Sequence, residues 1–152
     1  MRFHHVAIET VDLANTVNWY LTFFPGIRLN WEQDQFSSLT HERLPRITKL
    51  VELQVSNIRF HFFERIGVTH SHPPRNVTAF QHFCFQVPTP QDLNSYRLRW
   101  FDLRYSGIYN FTHDETATDI VVDQNAVASF YFLDVNGLEF EMTYVPEEMR
   151  AC

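Results

Sequence analysis

Long runs of one character are what this chain lacks, and their absence narrows its partners. No stretch approaches the roughly 20 apolar residues needed to span a bilayer. No group of Lys and Arg is dense enough to track a phosphate backbone. With a formal net charge of -6 at pH 7, neither a membrane nor nucleic acid is an expected partner. The N-terminus enters an alternating, strand-like pattern at residues 3–8 instead of a signal-peptide layout, so the chain reads as cytoplasmic. Cysteine is scarce. Cys84 falls in a predicted strand and Cys152 at the far end of the chain, a placement that argues against a structural disulfide.

What is abundant is phenylalanine, 15 among 152 residues. Hydrophobic residues at 45% and charged residues at 20% are those of an ordinary globular protein, and the length suits one domain or two small halves that share a core. The aromatic content therefore has both a core to fill and a pocket to line.

The same order of signals runs through the chain twice. Residues 3–9 alternate like a strand. Asp12 then caps a predicted helix with Leu13, Val17, Tyr20, Leu21 and Phe24 on one face, stopped by Pro25-Gly26. Strands are predicted at about 27–33, 47–55 and 57–64, with Ser56-Asn57 turning the last two. Residues 66–78, with His70, His72, Pro73 and Pro74, read as a linker or loop. The order then restarts with a strand at 80–87. Thr89-Pro90-Gln91-Asp92 starts a helix that should end near Asp102, and strands follow at about 109–116, 127–133 and 139–145. The last two are joined by the hairpin signal Asp134-Val135-Asn136-Gly137. Each half is β-α-β-β-β, and a half of that size cannot bury both faces of its sheet. The halves must pair, within one chain or between chains.

Four side chains occupy matching positions in the halves: His5 and His82 on the first strands, His61 and Glu141 on the last. His82 follows His5 by 77 positions and Glu141 follows His61 by 80. Because successive strand residues alternate faces, Val6, Ile8, Phe83 and Phe85 point one way, under the helices. His5, Ala7 and Glu9, Arg59, His61 and Phe63, His82, Cys84 and Gln86, and Glu139, Glu141 and Thr143 point the other. If the sheets face each other, these polar groups meet in one aromatic-lined concavity. Taken singly, His5 or His82 would be an ordinary strand histidine.

The segments Phe3-His4-His5-Val6-Ala7-Ile8, 12–26 with Trp19-Tyr20, Gln81-His82-Phe83-Cys84-Phe85 and 131–141 resemble the vicinal oxygen chelate superfamily, which spans glyoxalases, bleomycin-resistance proteins and extradiol dioxygenases. The resemblance covers nearly the whole chain. It implies an α+β fold in which two βαβββ modules, about 1–65 and 80–146, make one domain with a cupped, mostly antiparallel eight-stranded sheet and outer helices. It also implies one divalent metal ion held by His5, His82 and Glu141. Two imidazoles and a carboxylate leave open positions suited to Fe(II), the favoured ion, or to Mn, Ni, Co or Zn. His61 stands where glyoxalase-type members carry Glu or Gln; it is a candidate fourth ligand or base, or a ring packed in a Phe-rich wall. Tyr131 lies in a segment similar to the extradiol signature, but Val135 replaces its Pro and its upstream His is missing, so core packing is the expectation for Tyr131. Cys84 is expected as a small buried hydrophobe. His70 and His72 lack a nearby carboxylate or Cys at ligand spacing and read as a solvated loop.

Three functions follow from the resemblance. The first is an oxygenase, dioxygenase-like, acting on a small apolar or aromatic substrate with adjacent oxygens, with Tyr131 beside the metal. The second is a glyoxalase- or epimerase-type lyase or isomerase, with His61 or Glu139 moving a proton and only Arg59, Arg65 and Arg75 available near the rim to bind an anionic substrate. The third is a drug- or metabolite-binding resistance protein, which the intact metal set argues against. A small-molecule substrate and a homodimer are the partners implied.

Overall fold

In a computed structural model of the chain, residues 3–69 and 80–149 are described, so His70, His72, Arg75 and Cys152 lie outside them. The chain divides into two compact units, with the division falling between these two stretches. Among the described residues no helix is long and apolar enough to cross a membrane.

The first unit runs β1 (Val6–Glu9), α1 (Leu13–Phe23), β2 (Arg28–Gln33), α2 (Ser38–Arg43), β3 (Ile47–Val55) and β4 (Ile58–Arg65). Its sheet has the order β1-β4-β3-β2, with β1 parallel to β4 and the other pairs antiparallel. Asp12 caps α1, accepting from the Asn15 amide at 2.9 Å, which satisfies one of the amides a helix start leaves unpaired. The aromatic stripe of α1 then covers one sheet face. Tyr20 meets Phe60 and Phe62 at ring-centroid distances of 5.9 and 4.5 Å, and Trp19, Tyr20, Phe23, Phe60 and Phe62 are all fully buried. Removing a side chain of that size from water stabilises by about 1.5–3 kcal/mol.

The second unit repeats the plan with β5 (His82–Val87), α3 (Pro90–Tyr105), β6 (Val121–Val122), β7 (Ala128–Leu133) and β8 (Glu139–Tyr144). Its sheet order is β5-β8-β7-β6, again with the first and last strands parallel. Leu93 and Trp100 of α3 are buried, as are Phe130, Phe132, Phe140 and Met142 of the sheet. The Trp100 indole donates to the Leu133 carbonyl at 2.8 Å, which gives the polar edge of a buried ring its partner. The fold is thus α+β, two βαβββ modules each built on a four-stranded mixed sheet.

Three boundaries differ from the sequence reading. Residues 109–116, expected as a strand, are irregular, and the strand position is taken by the short β6. Phe111 packs against Trp100 and under the Arg104 guanidinium, while the Thr112 amide bonds the Val135 carbonyl at 3.0 Å. Phe111 therefore serves α3, and the Thr112 amide finds its partner in the β7–β8 turn instead of in a sheet ladder. Helix α3 runs on to Tyr105, with stacking of Phe101 on Tyr105 along its last turn. The one-and-a-half-turn α2 gave no periodic signal, and its start is held by Ser37, which accepts from the Thr40 amide at 3.2 Å.

Thr89 begins α3 by accepting from the Asp92 amide at 3.1 Å and donating to the Asp92 carboxylate at 2.6 Å, with Pro90 in the first turn. Thr89→Ala should lower stability by about 1 kcal/mol, seen as a lower urea midpoint at unchanged slope.

Candidate functional site

In both units the sheet face turned away from the helix carries the candidate residues. The pleat makes this unavoidable. Phe60 and Phe62 face α1, so His61 between them faces away, and Phe140 and Met142 do the same for Glu141. The register aligns the two faces residue for residue: Ala7 opposes His61 as Cys84 opposes Glu141, and Glu52 opposes His61 as Tyr131 opposes Glu141.

In the first unit His61 lies at the centre. Its Nε2 is 2.7 Å from Glu52 Oε2, and Glu52 is 2% exposed. A carboxylate that far from water needs its oxygens filled. Asn30 supplies the second partner, donating to Glu52 Oε1 at 2.7 Å. Burial works against ionisation of Glu52, but the bonds from Asn30 and His61 and the charges of His61 and Arg59 outweigh it and hold the carboxyl below its usual range. Trp31 stands edge-on to the His61 ring at 5.1 Å.

His5, just before β1, stacks on His61 with ring centroids 3.7 Å apart and planes within 8°. His4 Nδ1 is 2.8 Å from His5 Nδ1. One ring nitrogen from each of His4, His5 and His61 falls within a 4.8 Å cluster that suits a metal ion. Partial burial, then the His61 and His4 rings, hold His5 below the ordinary imidazole range, which favours its neutral form. Two parallel planes share no point, and an ion ligated in the plane of both His5 and His61 requires one ring to turn. His5 is the exposed ring and His61 the anchored one.

In the second unit Glu141 is the pivot. Its Oε2 is 3.3 Å from His82 Nε2, a separation that two ligands of one cation can adopt, given metal–donor distances of about 2.0–2.2 Å. Glu139 lies 3.7 Å from His82 Nδ1. The Tyr131 ring meets His82 edge-on at 5.5 Å, and both its hydroxyl and the Cys84 thiol bond Glu141. Partial burial, then the Glu141 charge, raise the Tyr131 hydroxyl above its ordinary range. The same causes push the Cys84 thiol up to about 11.

Two expectations are corrected here. Tyr131 is not a core residue: it is 36% exposed, because its strand position faces Glu141 while Phe130 and Phe132 take the core. Cys84 is exposed rather than buried, since its alternation places it on the polar face. Of the cationic candidates, Arg65 is engaged by Glu9 through two bonds of 2.6 and 2.9 Å. Glu52, Asn30 and His4 were not singled out from the sequence. A signal for Glu52 existed: counting back from the Ser56-Asn57 turn, Val55 opposite Ile58 sets Glu52 opposite His61.

No protein-family model matches the chain, and no curated protein matches it. Solved structures do. A glyoxylase/bleomycin resistance protein/dioxygenase domain from Frankia sp. EAN1pec is 14% identical, with a TM-score of 0.70 over 96% of this chain and 98% of that one. A variant of the fosfomycin resistance protein FosX from Listeria monocytogenes, complexed with Mn(II) and a dihydroxypropylphosphonic acid, is 18% identical, with a TM-score of 0.67 over 99% of this chain and 96% of that one. Lactoylglutathione lyase from Agrobacterium tumefaciens is 15% identical, with a TM-score of 0.60 over 99% and 97%. The chain shares its fold with these structures.

The raised thiol has a direct readout. Cys84, though exposed, should alkylate slowly at pH 8 because little thiolate is present. Glu141→Gln, by removing the adjacent charge, should speed its labelling by about three- to tenfold, followed by peptide mass spectrometry.

Proposed function

We propose that the chain is a divalent-metal-dependent enzyme in which the two modules complete one domain and His5, His82 and Glu141 hold one cation. The observation that supports it most is that both modules direct their imidazoles and carboxylates to the sheet face opposite the helix, with His82 Nε2 and Glu141 Oε2 3.3 Å apart and the His5 ring beside His61. Borderline nitrogen donors with one hard oxygen suit a first-row cation such as Fe(II), Mn(II) or Zn(II). The Mn(II) complex of the structurally similar FosX agrees with that class. A bound cation supplies Lewis acidity and chelates adjacent substrate oxygens.

The oxygenase reading is supported by the two-imidazole, one-carboxylate donor set and by Tyr131, which stands on the polar face beside His82 and Glu141. There its hydroxyl can turn from Glu141 to a substrate oxygen and orient it. The substrate would be small and apolar or aromatic, because each module sets a ring beside its own candidate donor, Trp31 at His61 and Tyr131 at His82.

A lyase or isomerase reading is favoured by a separate observation, the His61–Glu52 pair itself. An imidazole anchored on a buried carboxylate is equipped to take a proton from carbon and return it, and Glu139 near His82 offers a second relay point. The two readings part experimentally.

His5→Ala, His82→Ala and Glu141→Ala should each weaken binding of one metal equivalent by about 100-fold or more, beyond the 10–100-fold typical of outer partners, measured by titration against a chelator. Wild-type protein that takes up no Fe(II), Mn(II), Co(II) or Zn(II) sinks the metal reading. Oxygen uptake with a catechol or enol supports the oxygenase. Solvent-deuterium exchange into a hydroxycarbonyl substrate, lost in His61→Gln and without oxygen uptake, supports the lyase or isomerase instead.

A further inference from the structure

The carboxylate behind His61 does not stand alone. The Gln54 amide nitrogen donates to the Ser56 carbonyl at 2.9 Å, which turns the Gln54 oxygen toward Asn30. The Asn30 amide nitrogen donates to that oxygen at 3.3 Å and to Glu52 Oε1 at 2.7 Å. Glu52 Oε2 then faces His61 Nε2 at 2.7 Å. Every link has a direction, because an amide nitrogen only donates and a carboxylate only accepts. The chain begins at a fixed backbone carbonyl in the β3–β4 turn, where Ser56 adopts φ 53°, and ends on one nitrogen of a buried ring. His61 Nε2 must therefore carry the proton. Among the described residues, Nδ1 makes no hydrogen bond.

We infer that Glu52, oriented through Asn30 and Gln54, is a positioning residue that fixes His61 as its Nε2–H tautomer, so that in the oxygenase reading, where His61 is not the base, the Nδ1 lone pair serves as a donor to the bound cation. This rests on the metal-binding function proposed above and adds to it the residue that decides which imidazole nitrogen is available. A carboxylate behind a ligating imidazole fixes the ring's orientation and raises its basicity. The stacked His5 ring on one side and Trp31 at the edge limit the ring to the orientation Glu52 selects.

Replacing the carboxylate with an amide of the same shape makes a distinctive prediction. In Glu52→Gln the side-chain oxygen is claimed by the Asn30 N–H, whose orientation Gln54 sets, and the new amide nitrogen must face His61. A donor facing Nε2 forces Nε2 to accept, and the proton moves to Nδ1. Removing Asn30 as well lets the introduced amide turn its oxygen back to the ring.

Long-range proton–nitrogen NMR spectra of the metal-free full chain at alkaline pH read the tautomer directly, with His61 assigned by its loss in His61→Gln. The wild type should show the Nε2–H form, E52Q the Nδ1–H form, and N30A/E52Q a return to Nε2–H. Co(II) affinity, titrated against a chelator, should fall about 10–100-fold in E52Q and recover in N30A/E52Q. A wild-type Nδ1–H tautomer overturns the inference without any variant, and so does an E52Q protein with unchanged tautomer or unchanged Co(II) affinity. Wild-type protein that binds no Co(II) overturns the metal function instead, while the tautomer measured in the metal-free chain still judges the orientation of His61.

Discussion

A buried carboxylate tolerates its position only when both oxygens are bonded, and in the first module that requirement organises the polar face. Glu52 is almost fully covered, with His61 on one oxygen and Asn30 on the other. Leaving such a group unpaired costs several kcal/mol, so the rotamers of Asn30 and His61 are not free choices. Their placement in turn sets where Trp31 and His5 rest. The position of Asn30 depends on an irregularity: the β2–β3 register shifts between Leu29 and Trp31, which leaves Asn30 outside the paired register and its side chain within reach of Glu52. A bulge in a sheet edge thus serves to aim one side chain.

The aromatic face works by the opposite rule. Trp19, Tyr20, Phe23, Phe60 and Phe62 in one module, and Trp100, Phe130, Phe132 and Phe140 in the other, are 0–2% exposed. Their packing fixes strand register, because a one-residue slip would turn them to the polar face and bring His61 or Glu141 under a helix. The polar residues are held in place by what lies on the other side of the sheet. The strength of the hydrophobic layer is what allows a face of crowded imidazoles and carboxylates opposite it.

Strand alternation was the most legible feature of the sequence. It placed His61 between Phe60 and Phe62, and Glu141 between Phe140 and Met142, and the doubled order of signals yielded both βαβββ modules. Capping chemistry likewise marked Asp12 and Thr89 as helix starts. Residues 109–116 defeated the reading because Tyr109 and Phe111 are as apolar as strand residues, and only tertiary contact with Trp100 and Arg104 shows what Phe111 packs against. Tyr131 and Cys84 were misjudged for a different reason. Their identities suggest core, while their parity in the strand already assigned them to the polar face, and parity prevails where both neighbours are large and apolar. Glu52 escaped notice because a carboxylate inside Leu50-Val51-Glu52-Leu53 looks like a surface residue until its partner across the hairpin is counted.

The matched register of the two modules has a consequence for how a duplicated scaffold acquires two characters. At the same place, β3 offers His61 an acceptor in Glu52, whereas β7 offers Glu141 a donor in Tyr131, seconded by Cys84. One half thereby enriches its imidazole in electron density, and the other drains charge from its carboxylate. Two copies of one plan become complementary through the polarity of a single cross-strand neighbour, so divergence at that neighbour retunes the donor while the scaffold itself stays untouched.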